Sequence, residues 1–158
     1  MSDLAVNTPP MFPSVIPAPS PIMLDELMRL QTALANLPQV PLATEHLLHG
    51  GMYARTVRRN LGSITVGSLM TKASILIVNG PCSILIEDRQ VDLEGYNVLA
   101  GQPGRKSLSV ARGLVEMTMI FPTSAATVEE AENEICAEAD QLVSRRNDSR
   151  NTVTITGQ

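Results

Sequence analysis

Aromatic residues are nearly absent from this chain: there is no Trp, and Phe12, Phe121, Tyr53 and Tyr96 are the only Phe and Tyr residues. Its core must therefore be aliphatic, and the stacking platforms that nucleic-acid bases need are missing, so a nucleic-acid partner is not expected. Cysteine is as scarce. Cys82 and Cys136 lie far apart, with neither metal nor redox spacing, and are expected as reduced, buried thiols of a cytosolic, disulfide-free product. No stretch approaches the roughly 20 apolar residues of a membrane span, and the N-terminus lacks the basic region and apolar run of a signal peptide, so no membrane association is expected. Acids and imidazoles are missing from the middle of the chain. From Gly50 to Ile86 there is no His, Asp or Glu, which removes from that stretch the nitrogen and oxygen donors that hold iron, manganese or zinc.

What is present suffices for one domain with appendages: 158 residues, 44% of them apolar. The net charge of −4 is unevenly distributed. Residues 1–51 carry one Arg against four acids, residues 52–113 eight basic against four acidic groups, and residues 114–158 three against eight. Acidic flanks around a basic middle can orient the flanks onto that middle, in the same or a neighbouring subunit, although solvated pairs contribute only about 0–1 kcal/mol each.

Five regions follow along the chain. Residues 1–21 hold Pro9, Pro10, Pro13, Pro17, Pro19 and Pro21 among small and apolar residues. Their fixed φ angles exclude helix and sheet centre and predict an extended arm. Because the arm also carries Leu4, Val6, Met11, Phe12, Val15 and Ile16, a partner surface is expected to receive it. Residues 22–37 form a helix, opened by Ser20 as N-cap and Pro21 at the first helical position. Its seam of Met23, Leu27, Leu30, Leu34 and Leu37 lies either on its own barrel or against another copy.

Residues 38–121 form the β-rich body. Short β-branched and aliphatic stretches near 52–58, 63–66, 73–79, 82–87, 89–92, 95–99, 107–111 and 114–121 predict eight strands of an antiparallel barrel. The strands around Ile75–Val78 and Ile84–Ile86 are apolar on both alternations, so one face fills the barrel and the other needs a cover. A second helix is expected over 127–146, opened by the capping box Thr127–Glu130, with Val128, Ala131, Ile135, Ala139 and Leu142 or Val143 as its apolar stripe. The tail, 147–158, is polar until Val153–Thr156, which can add a strand to a sheet edge in this or another subunit.

From Leu37 to Glu134 the order of motifs is LPQV, TEHLLHGGMYART, GSITVGSLMTKASILIVNG, GQPGRKS and MTMIFPTSAATVEEAENEI. It resembles the small cupin-like, jelly-roll proteins encoded among the virion genes of tailed bacteriophages, over roughly 100 of 158 residues. Members of that group typically read G-M/L-Y-A-R-E at the first strand, H-K-x-x-H further on, and P-G-x-K-R later. Gly51 to Arg55 are retained here, as are Pro103, Gly104 and Lys106, but Met70 and Ser74 stand at the two histidine positions. A thioether and an alcohol are poor ligands for the metals such barrels hold.

The resemblance implies a small cupin-like jelly-roll barrel acting as a non-enzymatic structural part of a virion, with no catalytic residue, metal or cofactor. Its partners would be copies of itself and other virion proteins of the capsid, collar or tail, and it would assemble in the host cytoplasm. Phe12, Val15 and Ile16 of the arm and Met23, Leu27, Leu30 and Leu34 of the seam are the expected contacts. The interior is expected to be plugged near Met70, Leu76 and Met119.

The alternative is a ligand-binding or sugar-modifying cupin-like enzyme with a polar, open interior. Some cupin-like sugar epimerases use a histidine base and a tyrosine acid, which directs attention to His46, His49, Tyr53 and Tyr96, although neither histidine lies on an expected barrel strand. Finally, Arg55, Arg58, Arg59, Arg105, Lys106 and Arg112 would form a basic patch if the strands gather them, expected as a solvated face or subunit contact.

Overall fold

In the computed structural model, residues 14–146 and 148–157 are described. In chain order they form strand Val15–Ile16 (β1), helix Pro21–Ala35 (α1), and strands Ala43–His49 (β2), Met52–Arg59 (β3), Ile64–Val66 (β4), Ser74–Asn79 (β5), Cys82–Ile86 (β6), Arg89–Leu93 (β7), Tyr96–Gly101 (β8), Leu108–Ala111 (β9) and Val115–Pro122 (β10). Helix Val128–Ile135 (α2), two 3-10 turns at Ala139–Gln141 and Val143–Arg145, and strand Arg150–Thr156 (β11) complete the chain.

The eight expected strands are β3 to β10, and their pairing is nested. β3 pairs with β10, β4 with β9, β5 with β8 and β6 with β7, all antiparallel. A long hairpin folded over on itself in this way is a jelly roll. The lateral pairs β10·β5 and β6·β9 then divide it into two sheets, of order β1-β8-β5-β10-β3-β2-β11 and β4-β9-β6-β7. Turn chemistry supports the nesting: at the Asn79–Gly80 turn Gly80 has φ +118°, and a Cβ there would run into the Leu114 carbonyl.

Between the sheets lies one aliphatic core. It includes Leu76, Val78, Leu99, Met119 and Phe121 from the larger sheet and Cys82, Ile84, Val91, Leu93 and Ala111 from the smaller. Cys82 and Cys136 are both free and buried.

Three strands lie outside the sequence reading of the barrel. β2 was not among the eight expected strands, yet it alternates buried Thr44, His46 and Leu48 with exposed neighbours. β1 pairs in parallel with β8 at the sheet edge, and β11 pairs in parallel with β2 of the same chain.

The helix expected over 127–146 is cut short. Its capping box forms as read, but at Cys136 the backbone turns extended (φ −117°, ψ 124°) and makes a bridge with Met70. The Thr71 and Ala137 amides bond the Ile135 and Leu69 carbonyls, so cross-chain bonds replace the helical ones that would continue α2. The apolar stripe still faces inward: Ala131, Ile135, Ala139 and Leu142 are buried through the change of backbone.

Candidate functional site

The segment after α2 packs against the Leu69–Thr71 backbone, through the Ala137 amide to the Leu69 carbonyl and the Thr71 amide to the Ile135 carbonyl. Met70 is in the core and is bridged to Cys136. Ser74 accepts a hydrogen bond from Arg105 Nη2 at 3.1 Å. The Arg105 guanidinium therefore lies inside the barrel, where burial lowers its pKa, and no carboxylate pairs with it among the described residues. Gly101 makes room for it: a Cβ there would collide with Arg105 Nε and come within 2.9 Å of Ser74 Oγ.

Lys106 points into the protein as well. Its Nζ donates to Glu138 Oε2 at 2.9 Å, to the Gly67 carbonyl at 2.8 Å and to Gln31. Glu138 also accepts from the Leu69 amide, at 3.0 Å. Burial acts to raise the Glu138 pKa, but the hydrogen bonds from Lys106 and Leu69 and the Lys106 charge outweigh it and the net shift is downward.

A second polar cluster lies on the inner face of β2 and β3, where Glu132 of α2 and Ser144 of the second 3-10 turn approach it. His46 Nδ1 is 2.7 Å from the Tyr53 hydroxyl, and His46 Nε2 is 3.1 Å from Asn151 Oδ1. The Asn151 amide nitrogen is committed to the Ser144 carbonyl at 2.7 Å, so its oxygen accepts and His46 carries its proton on Nε2. Nδ1 then accepts from Tyr53 O–H. Burial lowers the His46 pKa and raises that of Tyr53, which keeps both neutral.

Around this pair, Glu132 is 2% exposed and accepts from Ser144 Oγ at 2.6 Å and Arg145 Nε at 2.9 Å, with Arg55 Nε 3.8 Å away. Two expectations are corrected: His46 is on a strand and faces inward, while His49 ends β2 exposed and meets Thr156 at 3.0 Å. Tyr96 is 67% exposed and takes no part. The clue to His46 in sequence was the alternation Thr44, His46, Leu48, hidden because a histidine occupies an inward position.

The expected basic patch is not formed. Arg59, Arg105 and Lys106 are buried, Arg55 faces Glu132, Arg58 is held by Glu45 at 2.6 Å and Glu116 at 3.0 Å, and Arg112 pairs with Glu94 at 2.7 Å. On β3, strand alternation sends Arg58 and Arg59 to opposite faces. The acids of the C-terminal flank meet basic groups of the middle within one chain: Glu132 with Arg55, Glu134 with Lys72, Glu138 with Lys106.

The expected contacts also divide. Ile16 is in the chain's own core and Leu27 is 3% exposed. A narrow cleft between α1 and the barrel is lined by Ile16, Met23, Leu27, Leu85 and Ile86. Both residues are thus used internally, because β1 and the Ser20–Glu87 hydrogen bonds, 2.9 Å between hydroxyl and carboxylate, fasten arm and helix to the barrel. Met23, Leu30 and Leu34 are half-buried, Val15 is exposed, and Phe12 lies outside the described residues.

Among the described residues, no element covers the apolar outer face of the larger sheet. Register places Val15, Ala100, Ile75, Ile120, Ala54 and Leu47 in one row across six strands, with Val98 and Ile77 in the next. Ile75 is 50% and Val98 55% exposed, and the Glu45–Arg58–Glu116 group bounds this apolar area at one end.

No family model and no curated protein matches the chain in sequence. Among solved structures it is similar to a cupin superfamily protein from Desulfitobacterium hafniense, with TM-score 0.46 and 15% identity over 58% of this chain and 86% of that one. It is also similar to a cupin-2 domain protein from Shewanella frigidimarina, with TM-score 0.43 and 13% identity over 63% and 98%. A salicylate 1,2-dioxygenase from Pseudoaminobacter salicylatoxidans gives TM-score 0.46 and 14% identity over 72% of this chain and 34% of that one. The fold of this chain is described by its own nested strand pairing.

Proposed function

We propose that this protein is a non-enzymatic structural component of a bacteriophage virion, a cupin-like block that joins copies of itself to a capsid, collar or tail protein. The motif order from Leu37 to Glu134 supports the virion setting. The observation that carries the assembly role is the exposed apolar face of the larger sheet, with Val15, Leu47, Ile75 and Val98 facing solvent. An apolar area of this kind on a folded domain marks an interaction site, and its burial supplies the association energy. The interior supports the same reading, since Met70, Leu76 and Met119 pack into the core.

The test is the double variant Ile75→Glu/Val98→Glu. Both side chains point away from the core, so the variant is expected to fold normally and to be lost from purified particles. A variant incorporated as well as the wild type, or a wild type absent from particles, overturns the proposal.

A ligand-binding or sugar-modifying enzyme is the second reading, and the inward-facing His46–Tyr53 pair favours it. A base and an acid working on a sugar need the substrate between them. Here the two buried groups bond each other at 2.7 Å, which fits a structural hydrogen bond better. Tyr53→Phe separates the readings: it removes ligand binding or turnover in an enzyme, and lowers stability alone in a structural protein.

A further inference from the structure

β11 ends the larger sheet with an edge unlike the others. Two-residue β1 and three-residue β4 are short, and β7 carries exposed Arg89 and Asp92, features that discourage edge-to-edge pairing. β11 is seven residues long, exposed throughout, and free of Pro, Gly and charge from Asn151 to Thr156. One side of it pairs with β2 in continuous register from Arg150↔Ala43 to Thr156↔His49, and among the described residues no strand pairs with its other side, whose backbone donors and acceptors face outward.

The side chains say what that edge fits. Thr152, Val153, Thr154, Ile155 and Thr156 read alike in both directions about Thr154. In an antiparallel pairing about a two-fold axis perpendicular to the sheet and midway between the two Thr154 residues, Thr154 meets Thr154, Thr152 meets Thr156, and Val153 meets Ile155. Every aliphatic side chain then faces an aliphatic one, and every threonine a threonine on the opposite face, both favourable cross-strand pairs. Val153 and Ile155, now 51% and 45% exposed, gain cover. Arg150 falls beyond the paired region, so no like charges meet. Self-complementarity under a two-fold operation is the signature of an isologous contact.

We propose that β11 is a homodimerisation strand: two copies join edge to edge through antiparallel β11–β11 pairing centred on Thr154, making one sheet continuous across both subunits. The occupant is a second copy of this chain, and the inference stands apart from any virion role. One strand edge buries less than the about 800 Å² per partner of a standard interface, so the dimer is expected to be concentration-dependent.

Sedimentation equilibrium on the full chain tests this, with circular dichroism to confirm folding. The wild type is expected to dimerise with rising concentration. Thr154→Lys and Thr154→Glu, each placing like charges face to face, are expected to raise the dissociation constant about tenfold or more. An equimolar mixture of the two variants is expected to recover association, an outcome that a general loss of structure would not produce. A wild type that stays monomeric at millimolar concentration overturns the proposal, as does a dimer unaffected by either variant, or a mixture that fails to associate. A dimer dissociated by Ile75→Glu but not by Thr154→Lys assigns the contact to the sheet face instead and overturns it too.

Discussion

Gly101 illustrates how single residues set this interior. Arg105 takes up the space that a side chain at position 101 would need, so Gly101→Ala forces the guanidinium or the strand to move. Overpacking of this kind is expected to cost about 1–3 kcal/mol, read as a lower urea midpoint at unchanged m-value. His46 gives a pH-dependent counterpart. Its pKa is held below the ordinary 6.5, chiefly by burial and partly by Arg55, while the Asn151 hydrogen bond and Glu132 oppose the shift; Tyr53, Ser144 and Arg145 complete its surroundings. The unfolded chain therefore takes up this proton more readily than the folded one. The stabilisation is complete above about pH 6.5 and is lost as pH falls through that value toward the folded pKa. Unfolding midpoints measured between pH 7.5 and pH 5 are expected to fall in the wild type and to fall less in His46→Gln.

At the scale of elements, arm and helix belong to the barrel's own structure before they can serve a partner. β1 places Ile16, 2% exposed, in the core. A truncation that removes residues 1–19 takes Ile16 with it, whereas one that removes residues 1–13 does not. The longer truncation is expected to be less stable than the shorter by about 2–4 kcal/mol, measured by denaturant unfolding. Particle-incorporation experiments on the arm are therefore informative only with the shorter cut. The eight jelly-roll strands were legible because β-branched runs and glycine or charged turns are local signals. The end of α2 was not, because nothing near Cys136 announces that Met70 will draw it into a bridge.

For the molecule as a whole, Lys106 and Glu138 form the principal internal tie. The pair connects α1 through Gln31, the loop after β4 through Gly67 and Leu69, and the C-terminal segment through Glu138 itself. The Lys106 side chain is fully buried, so Lys106→Met leaves an unpaired, largely buried carboxylate and is expected to cost about 3–5 kcal/mol. Adding Glu138→Gln is expected to recover much of that loss, and equilibrium unfolding of the single and double variants measures both. The same substitution should raise hydrogen exchange in α1 and in the segment after α2 together, since one charge pair fastens both.

The sequence by itself determined the strand-rich body and both helix starts, because alternation and capping act over a few neighbouring residues. Only the tertiary structure decided that Arg59, Arg105 and Lys106 turn inward, that His46 meets Tyr53, and that β11 extends the sheet beside β2. Those outcomes depend on which face of a strand a residue occupies and on partners up to 107 residues away, as for Gln31 and Glu138. For Lys106 the inward placement is possible because distant Glu138 and the Gly67 carbonyl accept its hydrogen bonds.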